Sequence, residues 1–178
     1  PYTEAKYDGV FFNQAFSVDG NVRKNVQAGY ADYIPIFLSE TQKLYRSGVL
    51  PCDVAMVQVC PPDKHGYVSL GTSVDATLAA IECAKTVIAV VNNHFPRSWG
   101  EAIIPMDKID IFVEDNTPLE PATFTAPNEI ETAIGINCAN LIEDGATLQM
   151  GIGAIPNAVL AQLGNHKNLG IHTEMFAD

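Results

Sequence analysis

The alternation of short β-forming runs with helical patterns is what most restricts how this chain can fold. Residues 10–12, 33–37 and 54–59 read as strands, and residues 22–28 and 40–46 carry helical patterns between them. Parallel strands need a crossover, usually a helix, so this alternation predicts βαβ units and an α/β protein with a mostly parallel sheet. Ser39 with Gln42 has the spacing of a capping box, and Gly48 falls just past the last helical turn. Residues 60–66 cannot extend a central strand, because Pro61 and Pro62 remove ladder donors and Gly66 suits a turn. Beyond that loop the pattern predicts a strand at 67–70, a helix over about 75–84, and buried sheet strands at 87–91 and 109–113.

Between residues 115 and 127 the period is lost. Pro118, Pro121 and Pro127 fall among Thr, Asn and Glu, which predicts a linker. Past it, Ile130, Ala133, Ile134, Cys138 and Leu141 keep helical spacing behind Asn128, with Glu131 at the reciprocal capping position. The expected organisation is a first domain at 1–114, a linker at 115–127 and the beginning of a second domain at 128–178. A chain that opens on Pro1 and stops just after an apolar, strand-like run is expected to be a fragment of a longer polypeptide.

A chain that is 47% hydrophobic and 17% charged has the composition of a globular protein. Its net charge of −11 disfavours nucleic-acid and anionic-membrane surfaces, both of which need clustered Lys and Arg. It does not exclude a phosphorylated ligand, because helix N-termini and backbone amides hold phosphate locally. Cys52, Cys60, Cys83 and Cys138 form no Cys-x-x-Cys pair and read as buried thiols. His65, His94 and His166 lack metal-ligand spacing, so no metal is expected. No apolar run reaches the roughly 18 residues of a membrane span and no signal peptide opens the chain, so the expected location is cytoplasmic.

The stretch with chemical content is 146–178. A strand-like run turns at Gly151-Ile152-Gly153 into a helix over about 156–163, with Pro156 expected at its first position and Gly164 just past its end. Glycines in such a turn allow close backbone approach, and the unpaired amides at the helix start can donate to a carbonyl oxygen or a phosphate. The Gly-x-Gly-x-x-Gly pattern is incomplete, since Pro156 holds its last place, and a plain tight turn fits as well. Residues 168–171 read as the next parallel strand, which puts His172-Thr173-Glu174 at its carboxyl end, on the rim where open α/β sheets bind ligands. On these grounds alone Glu174 is either a site residue or an ordinary solvated carboxylate.

The run from Gly151 to Leu160, followed by Leu169-Gly170-Ile171-His172-Thr173-Glu174-Met175, closely resembles the acetyl-CoA hydrolase/transferase family. So do Gly29-Tyr30-Ala31-Asp32-Tyr33-Ile34-Pro35, the segment from Pro61-Pro62-Asp63 through Ser69-Leu70-Gly71, and Ser73-Val74-Asp75, so the resemblance spans almost the whole chain. It implies a CoA-transferase (NagB/RpiA-like) fold of two similar domains with open, mostly parallel sheets and flanking helices, the second truncated here. It implies Glu174 as a nucleophile that becomes a glutamyl-CoA thioester, and Gly151, Ile152, Gly153, Ala154 and Ile155 as the CoA-binding turn. The implied reaction moves CoA between a short-chain acyl-CoA (4-hydroxybutyryl-, butyryl- or acetyl-CoA) and a carboxylic acid such as acetate. Coenzyme A is then a substrate rather than a tightly bound cofactor, and the partners are the remainder of the chain's own C-terminal domain and a second copy in a homodimer. Family members often carry Thr-His where this chain has Ser98-Trp99 between Arg97 and Gly100, which implies a differently shaped acyl pocket.

Two other readings share the same residues: a hydrolase in which water resolves the thioester, and a non-catalytic CoA-binding module. His172 is expected to be structural and Gln149 to pack in its strand or donate to the site. Arg97 is expected to pair either with a substrate anion or within the fold.

Overall fold

The computed structural model describes residues 2–20, 22–121 and 125–175. The chain divides into two compact units, Pro1–Leu119 and Glu120–Asp178.

In the first unit, β1 (Asn13–Ala15) pairs in parallel with β2 (Ala31–Tyr33) across the short helix α1 (Arg23–Gln27). A second helix, α2 (Leu38–Arg46), precedes β3 (Val54–Val59), and α3 (Thr77–Cys83) precedes β5 (Thr86–Val91). Strands β3, β5 and β7 (Ile111–Glu114) form a parallel sheet in that order. Between them in sequence, β4 (Tyr67–Ser69) and β6 (Ile103–Pro105) form a separate antiparallel pair. Mixed α/β architecture with mostly parallel pairing is thus the observed class.

One contiguous core holds this unit together. Ala55, Val57 and Val59 from β3 and Val87 and Ala89 from β5 pack with Val68, Leu70, Ile81 and Ile104. Burying each larger aliphatic side chain of this set is worth about 1.5–3 kcal/mol. Helices α2 and α3 are tied at the surface, where Arg46 donates from Nε and Nη2 to Glu82 Oε2 at 3.0 and 2.8 Å and from Nη1 to Gln42 Oε1 at 2.8 Å.

Several local expectations are corrected. The apolar run at 10–12 precedes β1 rather than forming it, and β2 ends at Tyr33, where the run at 33–37 was expected to begin. Ser39 does not cap α2. The cap position is Phe37, without a side-chain bond, and Gln42 Nε2 reaches across to donate to Asp75 O at 2.8 Å. A long-range partner outcompetes the local one. Strand β7 is not buried: every residue of it is exposed, because it lies at the edge of its sheet and nothing among the described residues covers it. Of the cysteines, Cys60 is buried and the other three are half-buried, all as free thiols.

The second unit is smaller. Its first helix, α4 (Glu129–Ala139), opens with the expected capping box: Asn128 Oδ1 accepts from Glu131 N at 2.9 Å, and Glu131 Oε2 accepts from Asn128 N at 2.8 Å. Its buried face is Gly135 and Ala139 rather than the bulkier stripe, since Ile130 and Leu141 stand exposed. Gly135 admits the backbone of α5 (Ala154–Leu160) at a separation no side chain would allow. Strands β8 (Thr147–Leu148) and β9 (Gly170–Ile171) pair in parallel. Ala139, Leu148, Val159 and Leu163 make the core.

Candidate active site

The candidate segment lies entirely in the second unit. Strand β8 runs into Gln149 and Met150, then through Gly151-Ile152-Gly153 into α5, and β9 runs into His172-Thr173-Glu174. With Thr147 opposite Gly170 and Leu148 opposite Ile171 in a parallel pair, both exits leave from the same end of the strands. His172 N continues the ladder by donating to Leu148 O at 2.9 Å. One residue on, Thr173 Oγ1 takes over the pairing, donating to Met150 O at 2.9 Å and accepting from Met150 N at 3.2 Å. A side chain thus replaces a backbone where the strands diverge. Glu174, the next residue, is exposed.

The turn that faces this exit needs glycine at Gly153, whose φ of 116° is strained for any residue with a Cβ. Gly153 is the cap of α5, so the helix starts at Ala154 and Pro156 occupies its third position, not its first. Proline is still tolerated there, because amides of the first turn have no partner within the helix. The consequence is chemical: Pro156 offers no donor, so the helix start presents the amides of Ala154 and Ile155. Gly151, Ile152, Gly153 and Ile155 are exposed and Ala154 is half-buried. Nor does Gly164 end the helix. Ala161 caps it, and Gly164 lies in a 3-10 turn, Leu163–Asn165, that folds Leu163 into the core.

Neighbouring polar residues divide plainly. Gln149 is exposed rather than packed in its strand, and its Nε2 donates to Met150 O at 3.4 Å. His172 is exposed, whereas His166 Nε2 bonds Ile142 O at 3.0 Å and serves the fold. Among the described residues, no group of three or more His, Cys, Asp or Glu could hold a metal ion. No described helix is long and apolar enough to cross a membrane.

A second polar cluster, whose Arg97 the sequence left between a substrate anion and a partner within the fold, lies at the carboxyl ends of β3 and β5. Arg97 Nη2 bonds Asp63 Oδ2 at 2.7 Å, so it is paired within the fold, and its guanidinium lies 5.7 Å from the centre of the exposed Trp99 ring. Asp63 Oδ1 accepts from Tyr67 N at 3.0 Å and His65 N at 2.9 Å. The Tyr67 amide, more than the His65 amide or Arg97, holds the Asp63 carboxyl below its usual range, against an opposing effect of burial. Behind this pair, Ser69 Oγ accepts from Ser98 N at 3.0 Å and from Gly71 N at 3.1 Å, and Ser98 Oγ donates to Gly71 O at 2.6 Å. Gly71 has φ 57° and is pressed against the Phe95 ring and Pro96 O. The sequence signals for this cluster were the motif that joins Pro61-Pro62-Asp63 to Ser69-Leu70-Gly71 and the Arg97-Ser98-Trp99-Gly100 segment, whose Arg97 was expected to pair with a substrate anion or within the fold.

Comparison with known proteins decides the family, since the model of the acetyl-CoA hydrolase/transferase N-terminal domain matches residues 2–122. The chain belongs to the acetyl-CoA hydrolase/transferase family. Among relatives of this family, the 4-hydroxybutyrate coenzyme A transferase of Clostridium kluyveri is 50% identical over 99% of this chain and 41% of its own length. The succinyl-CoA:acetate/propanoyl-CoA:succinate CoA transferase of Fasciola hepatica is 48% identical, over 100% of this chain and 37% of its own length. The crystal structure of 4-hydroxybutyrate CoA-transferase from Porphyromonas gingivalis superimposes with a TM-score of 0.75 at 42% identity, covering 94% of this chain and 43% of that one. This acetyl-CoA hydrolase/transferase chain therefore spans about two fifths of the length of the relatives it matches.

Proposed function

We propose that this chain is part of an acyl-CoA:carboxylate CoA-transferase in which Glu174 is the covalent nucleophile and residues Gly151–Ile155 bind the thioester end of CoA. The observation that carries the reading is the parallel β8–β9 pair closed by Thr173, which gives the glycine turn and Glu174 a common edge. Relatives at 41–50% identity bear CoA-transferase names, which supports transfer over hydrolysis. The proposed fold is the two-domain CoA-transferase (NagB/RpiA-like) arrangement, with residues 1–114 in the first domain, 115–127 joining, and the second from 128 onward. The working enzyme is a homodimer.

In this mechanism the Glu174 carboxylate attacks the acyl-CoA carbonyl, expelling CoA thiolate and leaving an acyl-glutamyl anhydride. The thiolate then attacks the glutamyl carbonyl, releasing the first carboxylate and forming glutamyl-CoA. The acceptor carboxylate attacks that thioester, and the returning thiolate attacks the new acyl carbonyl, which frees Glu174. Each step passes through a tetrahedral oxyanion, and a weak nucleophile such as a carboxylate needs donors prearranged for it. The amides of Ala154 and Ile155 are suited to that task. Binding of the remote nucleotide and pantetheine can orient the thioester, an effect worth roughly 7–11 kcal/mol of barrier.

The test is to incubate the complete enzyme with butyryl-CoA, reduce with borohydride, and map the modified peptide by mass spectrometry. A reduced adduct at Glu174 is expected, and modification at any other carboxylate rules the assignment out. Measuring butyryl-CoA consumption with and without acetate separates transfer, which needs the acceptor, from hydrolysis, which does not.

A further inference from the structure

Two of the four cysteines meet at one end of one sheet. Cys52 stands two residues before β3, and Cys83, the last residue of α3, stands three residues before β5. Strands β3 and β5 run parallel with Val54 opposite Thr86, so both begin at the same edge of the sheet. A helix that returns the chain between parallel strands runs against them, which puts the last turn of α3 at that same amino end. The junction there is bonded: Asp53 O accepts from Lys85 N at 3.2 Å and from Thr86 N at 3.1 Å, and Lys85 Nζ pairs with Asp53 Oδ1 at 2.7 Å.

Carried two residues back, the register sets Cys52 opposite Ala84, the neighbour of Cys83. Paired strands lie about 4.8 Å apart, and a disulfide needs Cα atoms about 4.4–6.8 Å apart, so the two backbones are spaced for a bridge. The side chains converge as well. Cys52 lines the space beside α3 that Ala76 and Ala80 also line. Positions 76, 80 and 83 fall on one face of a helix, so Cys83 continues the stripe that Cys52 faces. Both are half-buried free thiols. Burial pushes the Cys52 thiol up, and a charge on Cys83, ahead of Asp53, pushes it further, which puts the two sulfurs within electrostatic reach of each other.

The other two cysteines stand elsewhere. Cys60 follows β3 at its carboxyl end, about 20 Å away along the strand, and is buried with its sulfur 3.5 Å from Arg97 Nη1. Cys138 belongs to α4 in the second unit. Among the described residues no third ligand joins Cys52 and Cys83 to make a metal site.

We infer that Cys52 and Cys83 form a modification site, a dithiol that a small disulfide such as oxidised glutathione converts to a disulfide within the chain. One thiolate attacks a sulfur of the small disulfide, forming a mixed disulfide and releasing one reduced thiol. The second thiolate attacks the protein-bound sulfur, the Cys52–Cys83 bond forms, and the second reduced thiol leaves. The protons of the two cysteines end on the two released thiols, and the two electrons lost by the protein reduce the small disulfide. The bond closes a loop over residues 52–83 that contains Asp63, Ser69 and Gly71, so oxidation braces the polar cluster at the far end of the strands without touching it. A closed loop of this length restricts the unfolded chain and thereby favours the folded one. Glu174 and the glycine turn lie in the second unit, so the site does not depend on the proposed reaction.

The experiment is to equilibrate the complete gene product with mixtures of reduced and oxidised glutathione, block the remaining thiols with iodoacetamide in denaturant, and map unreduced peptides by mass spectrometry. The expected product is one chain in which the Cys52 peptide is linked to the Cys83 peptide, with Cys60 and Cys138 alkylated. The link grows with the oxidised share of glutathione, disappears with dithiothreitol, and is lost in Cys52→Ser and in Cys83→Ser, each of which keeps glutathione on the remaining cysteine. The linked protein has a higher urea midpoint than the reduced one. Glutathione that stays on Cys52 or Cys83 of the unaltered protein without a link overturns the inference, because the sulfurs then do not meet. So does a link to Cys60 or Cys138, a link found only in covalent dimers, or a failure of both thiols to react. A link that leaves the midpoint unchanged or lowers it overturns the bracing.

Discussion

The backbone of Ala158 passes so close to Gly135 that a methyl group on Gly135 would lie 2.6 Å from the Ala158 carbonyl oxygen. Replacing a helical glycine with alanine ordinarily stabilises by about 0.5–1 kcal/mol. Here the contact is with backbone, which cannot step aside as a flexible side chain would. Gly135→Ala is therefore expected to destabilise the second unit by about 1–3 kcal/mol, the usual cost of overpacking. Chemical denaturation checks the sign: a midpoint higher than that of the unaltered protein shows that the helices can part cheaply.

Thr173 bonds both backbone groups of Met150 through one hydroxyl. Thr173→Val keeps the shape and removes both bonds, at a stability cost of about 1–2 kcal/mol. In the complete enzyme the larger effect falls on turnover, about ten- to a hundredfold in kcat, because Glu174 loses its fixed starting point. Thr173→Ser restores the hydroxyl and is expected to recover most of that loss. Equal kcat for Thr173→Val and the parent enzyme dismisses the positioning role.

Glu174→Gln removes the proposed nucleophile at nearly constant size. Exchange in the complete enzyme should fall roughly a thousandfold or more, with CoA affinity retained. Isothermal titration with CoA and a radiolabel exchange assay give the two quantities separately. Undiminished exchange would leave Glu174 an ordinary surface carboxylate.

Asp63 carries the pH dependence of the first unit's loop cluster. Its folded pKa lies below the ordinary 3.8, so its contribution to stability is fully present above that value and is lost as pH falls through the depressed folded value. At neutral pH the protein is expected to be more stable than Asp63→Asn. The gap should close as the solution is acidified below about pH 3.8. Urea midpoints of both proteins from pH 7 down to 2.5 follow the convergence, and a gap that stays constant contradicts it.

How far the sequence could be read depended on whether a feature is local. The capping box of Asn128 and Glu131 was legible because both partners lie within one turn. Strand β3 was legible to its ends, since a six-residue run with valine at 54, 57 and 59 stands between turn formers. The Ser39–Gln42 spacing looked equally good and failed, because Gln42 found Asp75 across 33 positions, and no local pattern encodes that. The exposure of β7 was hidden for a related reason: an apolar run states that a residue can be buried, and its neighbours decide whether it is. At the candidate site, the order of strand, glycine turn and following strand was visible, but the early start of α5 was not. The left-handed φ of Gly153 opens the helix two residues before the proline that seemed to mark it. The Thr173 clip was invisible, since a threonine ending a strand has many possible partners.

Because Asn128 and Glu131 close upon each other, the first turn of α4 is capped from within residues 128–131. The stretch that leads into it can therefore gain or lose residues without shifting the phase of the helix. Natural variation in length should accumulate just before Asn128, and a tag or protease site inserted there would leave α4 starting where it does now.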